Sequence, residues 1–184
     1  MVENDMTAEN LRSAFGGESQ AYQRYQVWAD KAEEDGYPNV ALLFRAVADA
    51  EQVHASNHFH AHDNVEGGFL VASGAEFGIG STEENLAGAI AGEDHEIEQM
   101  YPAYKTVAQE QDENEAIKSF HYALEAEKIH SDFFSQAKEA VAQEEDFDIE
   151  AVDICQTCGH TSIDGAPDKC PVCGADKEEY KKFQ

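Results

Sequence analysis

Between residues 18 and 130, carboxylates and imidazoles recur at helical spacing: Glu18, the pair Glu51 and His54, the pair Glu93 and Glu96, and the pair Glu127 and His130. Residues three apart leave a helix from nearly the same face, so E-x-x-H and E-x-x-E each aim two ligands at one point. The same stripes are otherwise apolar, with Phe15 and Ala21 beside Glu18, Phe44 and Val47 before Glu51, Ala89 and Ile90 before Glu93, and Phe120 and Ala123 before Glu127. A carboxylate on an apolar stripe is costly unless it is paired, protonated or bound to metal. Taken singly, any one pair reads as a solvated face in a Glu-rich chain. The intervals between them, each a helix plus a connection, favour four helices enclosing two metal ions. Oxygen-rich ligation with one imidazole from each of two helices suits iron or manganese better than zinc.

Carboxylate bundles that hold two irons carry one Glu from each of two helices and a Glu-x-x-His from each of the other two. This chain has one Glu more. A second motif follows the helices: Cys155-Gln-Thr-Cys158-Gly159 and Cys170-Pro171-Val-Cys173-Gly174. Two facing C-x-x-C knuckles place four thiolates tetrahedrally around one ion, and the glycines let the backbone turn its amides toward sulfur. All four cysteines lie in this motif, which leaves none for a disulfide or a nucleophile. Spacing alone admits a structural zinc ribbon as well as iron. Iron is favoured by company, because a one-electron carrier has a use beside a di-iron site.

The length of 184 residues accommodates one full core and a small module. The division expected is 1–146 for the bundle and 147–184 for the four-cysteine module, a mainly α chain. Only 12 Lys and Arg stand against 38 Asp and Glu, a formal charge of −26. That balance argues against nucleic acid and against a zinc-ribbon regulator, since phosphate contacts need clustered cations. The excess acid reads as solvated helix faces. The acidic start has no basic or apolar leader, and no apolar run approaches the roughly 20 residues of a membrane helix, so a soluble cytoplasmic protein is expected.

Helix one is expected to open at Thr7 as cap and to stop near Asp35-Gly36. Helix two should start at Pro38 and run to about Asn64. A glycine-rich connection, 67–80, leads to a helix starting at Ser81-Thr82-Glu83-Glu84 and reaching about Glu110. Asp112 or Asn114 should open the last helix, which reaches about Gln143, and the acidic stretch 144–150 reads as a linker. His58 and His62 read as core-edge or solvated residues rather than a surface metal site. His95, His121 and His160 belong to no constellation, and Trp28 reads as packing.

Together these segments resemble the rubrerythrins over essentially the whole length, in the order ferritin-like four-helix bundle, then rubredoxin-like Fe(Cys)4 module. The matching pieces are Gly17-Glu18-Ser19-Gln20 with Tyr25, Ala50-Glu51-Gln-Val-His54, Ala91-Gly92-Glu93-Asp-His-Glu96 with Tyr101, Ala126-Glu127-Lys-Ile-His130, and the four cysteines with Gly165 and Pro167 between them. The resemblance implies that Glu51 and Glu127 bridge two irons, that Glu18 and Glu93 are terminal ligands, and that His130 binds one iron. It implies that Glu96 holds the oxidised form of the other iron and His54 the reduced form, with Tyr25 and Tyr101 orienting ligand carboxylates. It also implies reduction of hydrogen peroxide to water. Electrons would come from a rubredoxin or an NAD(P)H-dependent flavoprotein reductase through the Cys155/Cys158/Cys170/Cys173 iron. A homodimer follows, in which one subunit's module approaches the other's di-iron site. The rival readings are a ferroxidase or iron-storage bundle, which needs no electron return, and an electron carrier using residues 150–184 alone.

Overall fold

The computed structural model describes residues 2–62 and 66–184. Its helices are α1 (Asp5–Glu34), α2 (Pro38–His60), α3 (Thr82–His95), α4 (Tyr101–Glu110) and α5 (Asn114–Val141). A π-helical turn, Glu96–Met100, joins α3 to α4 without a break, so the two form the bundle's third rod. Pro38 occupies the first turn of α2, and Ser81 with Glu84 closes a capping box on α3, both as expected. Thr7 is not the cap of α1. The helix begins earlier, behind Asn4, because Glu113 from the α4–α5 connection accepts the amides of Glu3 at 2.7 Å and Asn4 at 2.8 Å. Thr7 lies inside the helix and donates to Gln111 Oε1 at 2.6 Å. The end expected for helix two at Asn64 falls outside the described residues.

Two apolar clusters lie at opposite ends of the bundle. One gathers Tyr25, Trp28, Phe44, Val47, Leu86 and Phe134; the other gathers Leu11, Tyr101, Ala108, Phe120 and Ala123. Between them every rod carries its ligand carboxylate, so a polar layer divides the core. The order of clusters along each rod shows α1 and α5 running one way and α2 and α3–α4 the other. Two consecutive parallel rods need a connection as long as the bundle, which the glycine-rich segment provides. It climbs along α1, where Ser13 donates to the Ala72 carbonyl at 3.1 Å and Trp28 Nε1 donates to the Gly78 carbonyl at 2.9 Å.

The stretch read as a linker is docked on the bundle. Phe147 and Ile149 enter the first cluster while Asp148 and Glu150 face out. The Asp146 carboxylate accepts the Asn39 and Val40 amides, the open donors at the start of α2. A three-stranded antiparallel sheet follows, in the order β2 (Thr161–Ser162), β1 (Val152–Cys155), β3 (Tyr180–Phe183), with Ile154 opposite Thr161 and Cys155 opposite Tyr180. This sheet rests on α2, where Asp49 takes hydrogen bonds from Lys181 and Gln156 and Asn57 donates to the Thr157 carbonyl. Among the described residues no helix is long and apolar enough to cross a membrane.

Candidate metal centres

Four helical stripes bring Glu18, Glu51, His54, Glu93, Glu127 and His130 to one buried spot, and none of them is more than 2% exposed. Their donor atoms form two groups, each within 4.8 Å: Glu18, Glu51, His54, Glu127 and Glu51, Glu93, Glu127, His130. Glu51 and Glu127 belong to both. Glu96 belongs to neither and is half-buried on the π-turn beside the cluster.

The π-turn explains how the third rod serves two layers. Eight residues separate Glu93 from Tyr101, which on a regular helix leaves them about 80° apart; one inserted residue returns them to nearly one face. Tyr25 Oη donates to Glu93 Oε1 at 2.5 Å, and Tyr101 Oη donates to Glu18 Oε1. Each tyrosine thus occupies one carboxylate oxygen and leaves the other for the cluster.

Burial first, then the neighbouring carboxylates, pushes Glu18, Glu93 and Glu96 well above the usual carboxylate range. For Glu51 burial acts the same way, but hydrogen bonds from His130 and His54 outweigh it and hold the group down. Burial opposes protonation of the two histidines too. The carboxylates prevail, Glu127 foremost, raising His54 to about 10 and His130 to about 9. Glu18 Oε2 is buried and accepts no hydrogen bond, and Glu51 Oε1 and Glu127 Oε1 face only the ring nitrogens of His130 at 3.5 Å and His54 at 2.8 Å. Orphaned acceptors at the centre of a negative cluster are what cations would satisfy, so the residues fit a dinuclear metal site.

Both imidazoles turn Nδ1 inward. His54 Nδ1 lies 3.1 Å from Glu51 and 2.8 Å from Glu127, and His130 Nδ1 lies 2.7 Å from Glu127. Their Nε2 atoms meet the C-terminal module, His54 at the Cys158 carbonyl (3.2 Å) and His130 at the Thr161 hydroxyl (2.8 Å). A ligating histidine commonly donates its second N–H to such a carbonyl or hydroxyl, which fixes ring and tautomer. Gly159 makes the approach possible: a Cβ there would stand 2.0 Å from His54 Nε2, and its φ is +79°. Within this chain the module's backbone and Thr161 thus meet both imidazoles directly.

In the module the four Sγ atoms also lie within 4.8 Å of one another. The knuckles are alike, with Gly159 N to Cys155 O and Gly174 N to Cys170 O both 2.9 Å and both glycines at positive φ. The hydrogen bond with Cys158 holds the Cys155 thiol down to about 5 and pushes the Cys158 thiol up, while burial raises Cys173 to about 11. Four thiolates coexist there only around a cation.

The reading of His58 as a core-edge or solvated residue is overturned, since it is fully buried between Ser119 and Tyr101. Its spacing, four residues after His54, places it on the ligand face, a signal present in the sequence. Thr161, Ser119 and the Gly159 approach carry no such signal. His62 is partly buried against the Ala8 carbonyl, and His95 is exposed.

Two family models match, described as "Rubrerythrin" over residues 9–138 and "Rubrerythrin, rubredoxin-like domain" over residues 154–181. Rubrerythrin-2 of Clostridium acetobutylicum is 47% identical over 182 residues, covering 99% of each chain. Nigerythrin of Nitratidesulfovibrio vulgaris is 30% identical and covers 96% of this chain and 86% of its own length. The solved structure of nigerythrin in its fully reduced, all-ferrous state superposes with a TM-score of 0.86 at 30% identity, covering 99% of this chain and 89% of that one. Symerythrin from Cyanophora paradoxa shares the fold, with a TM-score of 0.60 at 18% identity. Both matched models imply iron, a di-iron site in the bundle and an Fe(Cys)4 site in the module. The chain belongs to the rubrerythrin family, di-iron proteins of oxidative-stress defence.

Proposed function

We propose that the chain is a peroxidase that reduces hydrogen peroxide to water at the dinuclear site, with electrons returned through the Cys155/Cys158/Cys170/Cys173 site. The observation that carries this reading is the direct seat of the four-cysteine module on both imidazoles, through Cys158 and Thr161. A bundle that only oxidised and stored iron would have no use for it.

When bound, iron at the dinuclear site would supply the two electrons that peroxide reduction consumes, and iron held by the four cysteines would return them one at a time. The donor geometry supports the following roles for the protein's residues. Glu51 and Glu127, shared by both donor groups, would serve both metal positions. Glu18 and Glu93 are terminal, each held at one oxygen by Tyr101 or Tyr25. His130 is a fixed ligand through Nδ1. His54 and Glu96 would exchange at one position: His54 stands inside its donor group while Glu96 lies outside it, on the π-helical turn. An anionic ligand suits the more highly charged ferric ion and an imidazole the ferrous one.

The proposal places the domain boundary at 146/147, in the docked strap, and the protein in the cytoplasm, where thiol ligands stay reduced. The donor would be a rubredoxin or an NAD(P)H-dependent flavoprotein reductase. A homodimer is included, because the crossover segment leaves Leu70 85% and Phe77 93% exposed beside exposed Phe59 and Ile79. The test is stoichiometric. The anaerobic, fully reduced iron protein should consume one hydrogen peroxide per two electrons withdrawn. Indifference to peroxide, with Fe(II) taken up and mineralised under oxygen, would establish the ferroxidase reading instead.

A further inference from the structure

Peroxide reduction consumes two protons as well as two electrons, and the dinuclear site is sealed by apolar clusters above and below. Behind Glu18 runs a row of buried polar side chains that ligation does not use. Tyr101 Oη donates to Glu18 Oε1. That uses the single phenolic hydrogen, so His58 Nε2, at 3.0 Å from the same oxygen, is the donor of its pair. His58 Nδ1 then carries no hydrogen and accepts from Ser119 Oγ at 2.8 Å. A neutral ring agrees with its surroundings, for complete burial disfavours the imidazolium. Tyr101 and His58 are 0% exposed and Ser119 is 4% exposed. Ser119 in turn lines a surface cleft of about 120 Å³ with Asn57, His60, Lys118 and Tyr122.

We propose that Ser119, His58 and Tyr101 form the path by which protons from solvent in this cleft reach Glu18 at the dinuclear site. The inference rests on the peroxidase reading. In one passage the Ser119 Oγ–H proton moves to His58 Nδ1 as Ser119 takes a proton from cleft water. The His58 Nε2 proton moves to Tyr101 Oη, and the Tyr101 proton moves to Glu18 Oε1. One proton enters and one is delivered, no bond between heavy atoms changes, and His58 passes from one neutral tautomer to the other. The row resets by a flip of the ring. No member need hold a net charge, which suits a fully buried histidine.

Two variants separate conduction from packing. His58→Gln retains an N–H toward Tyr101 and a carbonyl toward Ser119, but an amide does not relay a proton as an imidazole does. Ser119→Ala removes one oxygen at the entrance. In each iron-loaded variant, the iron content and the ferrous ligand-field spectrum should match the unsubstituted protein. Peroxide-driven reoxidation should slow about tenfold or more, with a larger solvent deuterium isotope effect. Neutron diffraction from crystals of the deuterated holoprotein gives a readout independent of turnover: deuterium belongs on His58 Nε2, with the Ser119 hydroxyl pointing at Nδ1. Unchanged rates and isotope effects in both variants, or deuterium on Nδ1 in place of Nε2, would overturn the path. Failure of the unsubstituted protein to react with peroxide would remove the peroxidase reading, and the neutron map alone would then decide whether the row is oriented for inward transfer.

Discussion

At the scale of single residues, the site is a cluster of charge whose members are arranged before any ion arrives. Glu18, Glu93 and Glu96 are raised, and His54 and His130 stand at about 10 and about 9, so the metal-free site holds several protons at neutral pH. Ligation needs ionised carboxylates and neutral imidazoles, so loading with Fe(II) must release protons, and affinity must fall as pH falls from about 8 toward about 5. Anaerobic titration calorimetry in buffers of different ionisation enthalpy measures that release; none would contradict this account of the cluster. Glu96→Ala should weaken retention of the oxidised iron several-fold more than that of the reduced iron, read as loss to a chelator in each state. Equal loss would count against exchange with His54. The clustering of Glu18, Glu51, His54, Glu93, Glu127 and His130 is legible in the sequence because helical spacing projects directly into space, whereas Glu96 stands outside both donor groups. The partners of His58 are not, although its spacing from His54 puts it on the inward face, because Ser119 and Tyr101 come from other helices and no local pattern predicts that pairing.

Among the elements, the informative departures from sequence expectation lie where one segment ends another. Local capping residues point to Thr7 as the start of α1, but the open amides are met by Glu113, more than a hundred residues away. Burial opposes ionisation of Glu113, yet the Asn4 side chain and the Glu3 and Asn4 amides outweigh it and hold the carboxyl low. Such a group contributes fully above its unfolded pKa, and the contribution vanishes as pH falls through the lower folded value. Glu113→Ala should therefore cost about 1–2 kcal/mol at pH 7 and much less near pH 3, measured by chemical denaturation. An equal cost at both would place the effect in packing. The π-turn is likewise invisible in the sequence, since Glu96 to Met100 reads as ordinary helix and only the need to face both Glu93 and Tyr101 inward shows the extra residue. Gly159 is the element junction with the sharpest steric demand. Gly159→Ala should push the module off His54, with about 1–2 kcal/mol of backbone strain besides, and slow electron return from the thiolate iron.

For the whole molecule, the bundle and the four-cysteine module act as one unit through α2, whose Asp49, His54 and Asn57 all meet the module. The fold class and the order of the two parts are legible from helix-length intervals and paired knuckles. Their mutual placement is not, because the stretch 144–150 looks like a solvated acidic linker until Phe147 and Ile149 are seen inside the core. Docking within one chain makes a distinct prediction for assembly. Mixed dimers of a Cys155→Ser chain and a Glu127→Ala chain should remain inactive, whereas electron transfer between subunits would restore turnover. The central claim, that the two metal sites are coupled for peroxide reduction, is tested most directly by a single anaerobic turnover. The fully reduced iron protein is mixed with one equivalent of hydrogen peroxide, and the visible absorption of the thiolate iron is followed by stopped flow. The account predicts prompt reoxidation of that chromophore, abolished in Glu127→Ala; a chromophore that stays reduced, or one that reoxidises equally fast in Glu127→Ala, would contradict it.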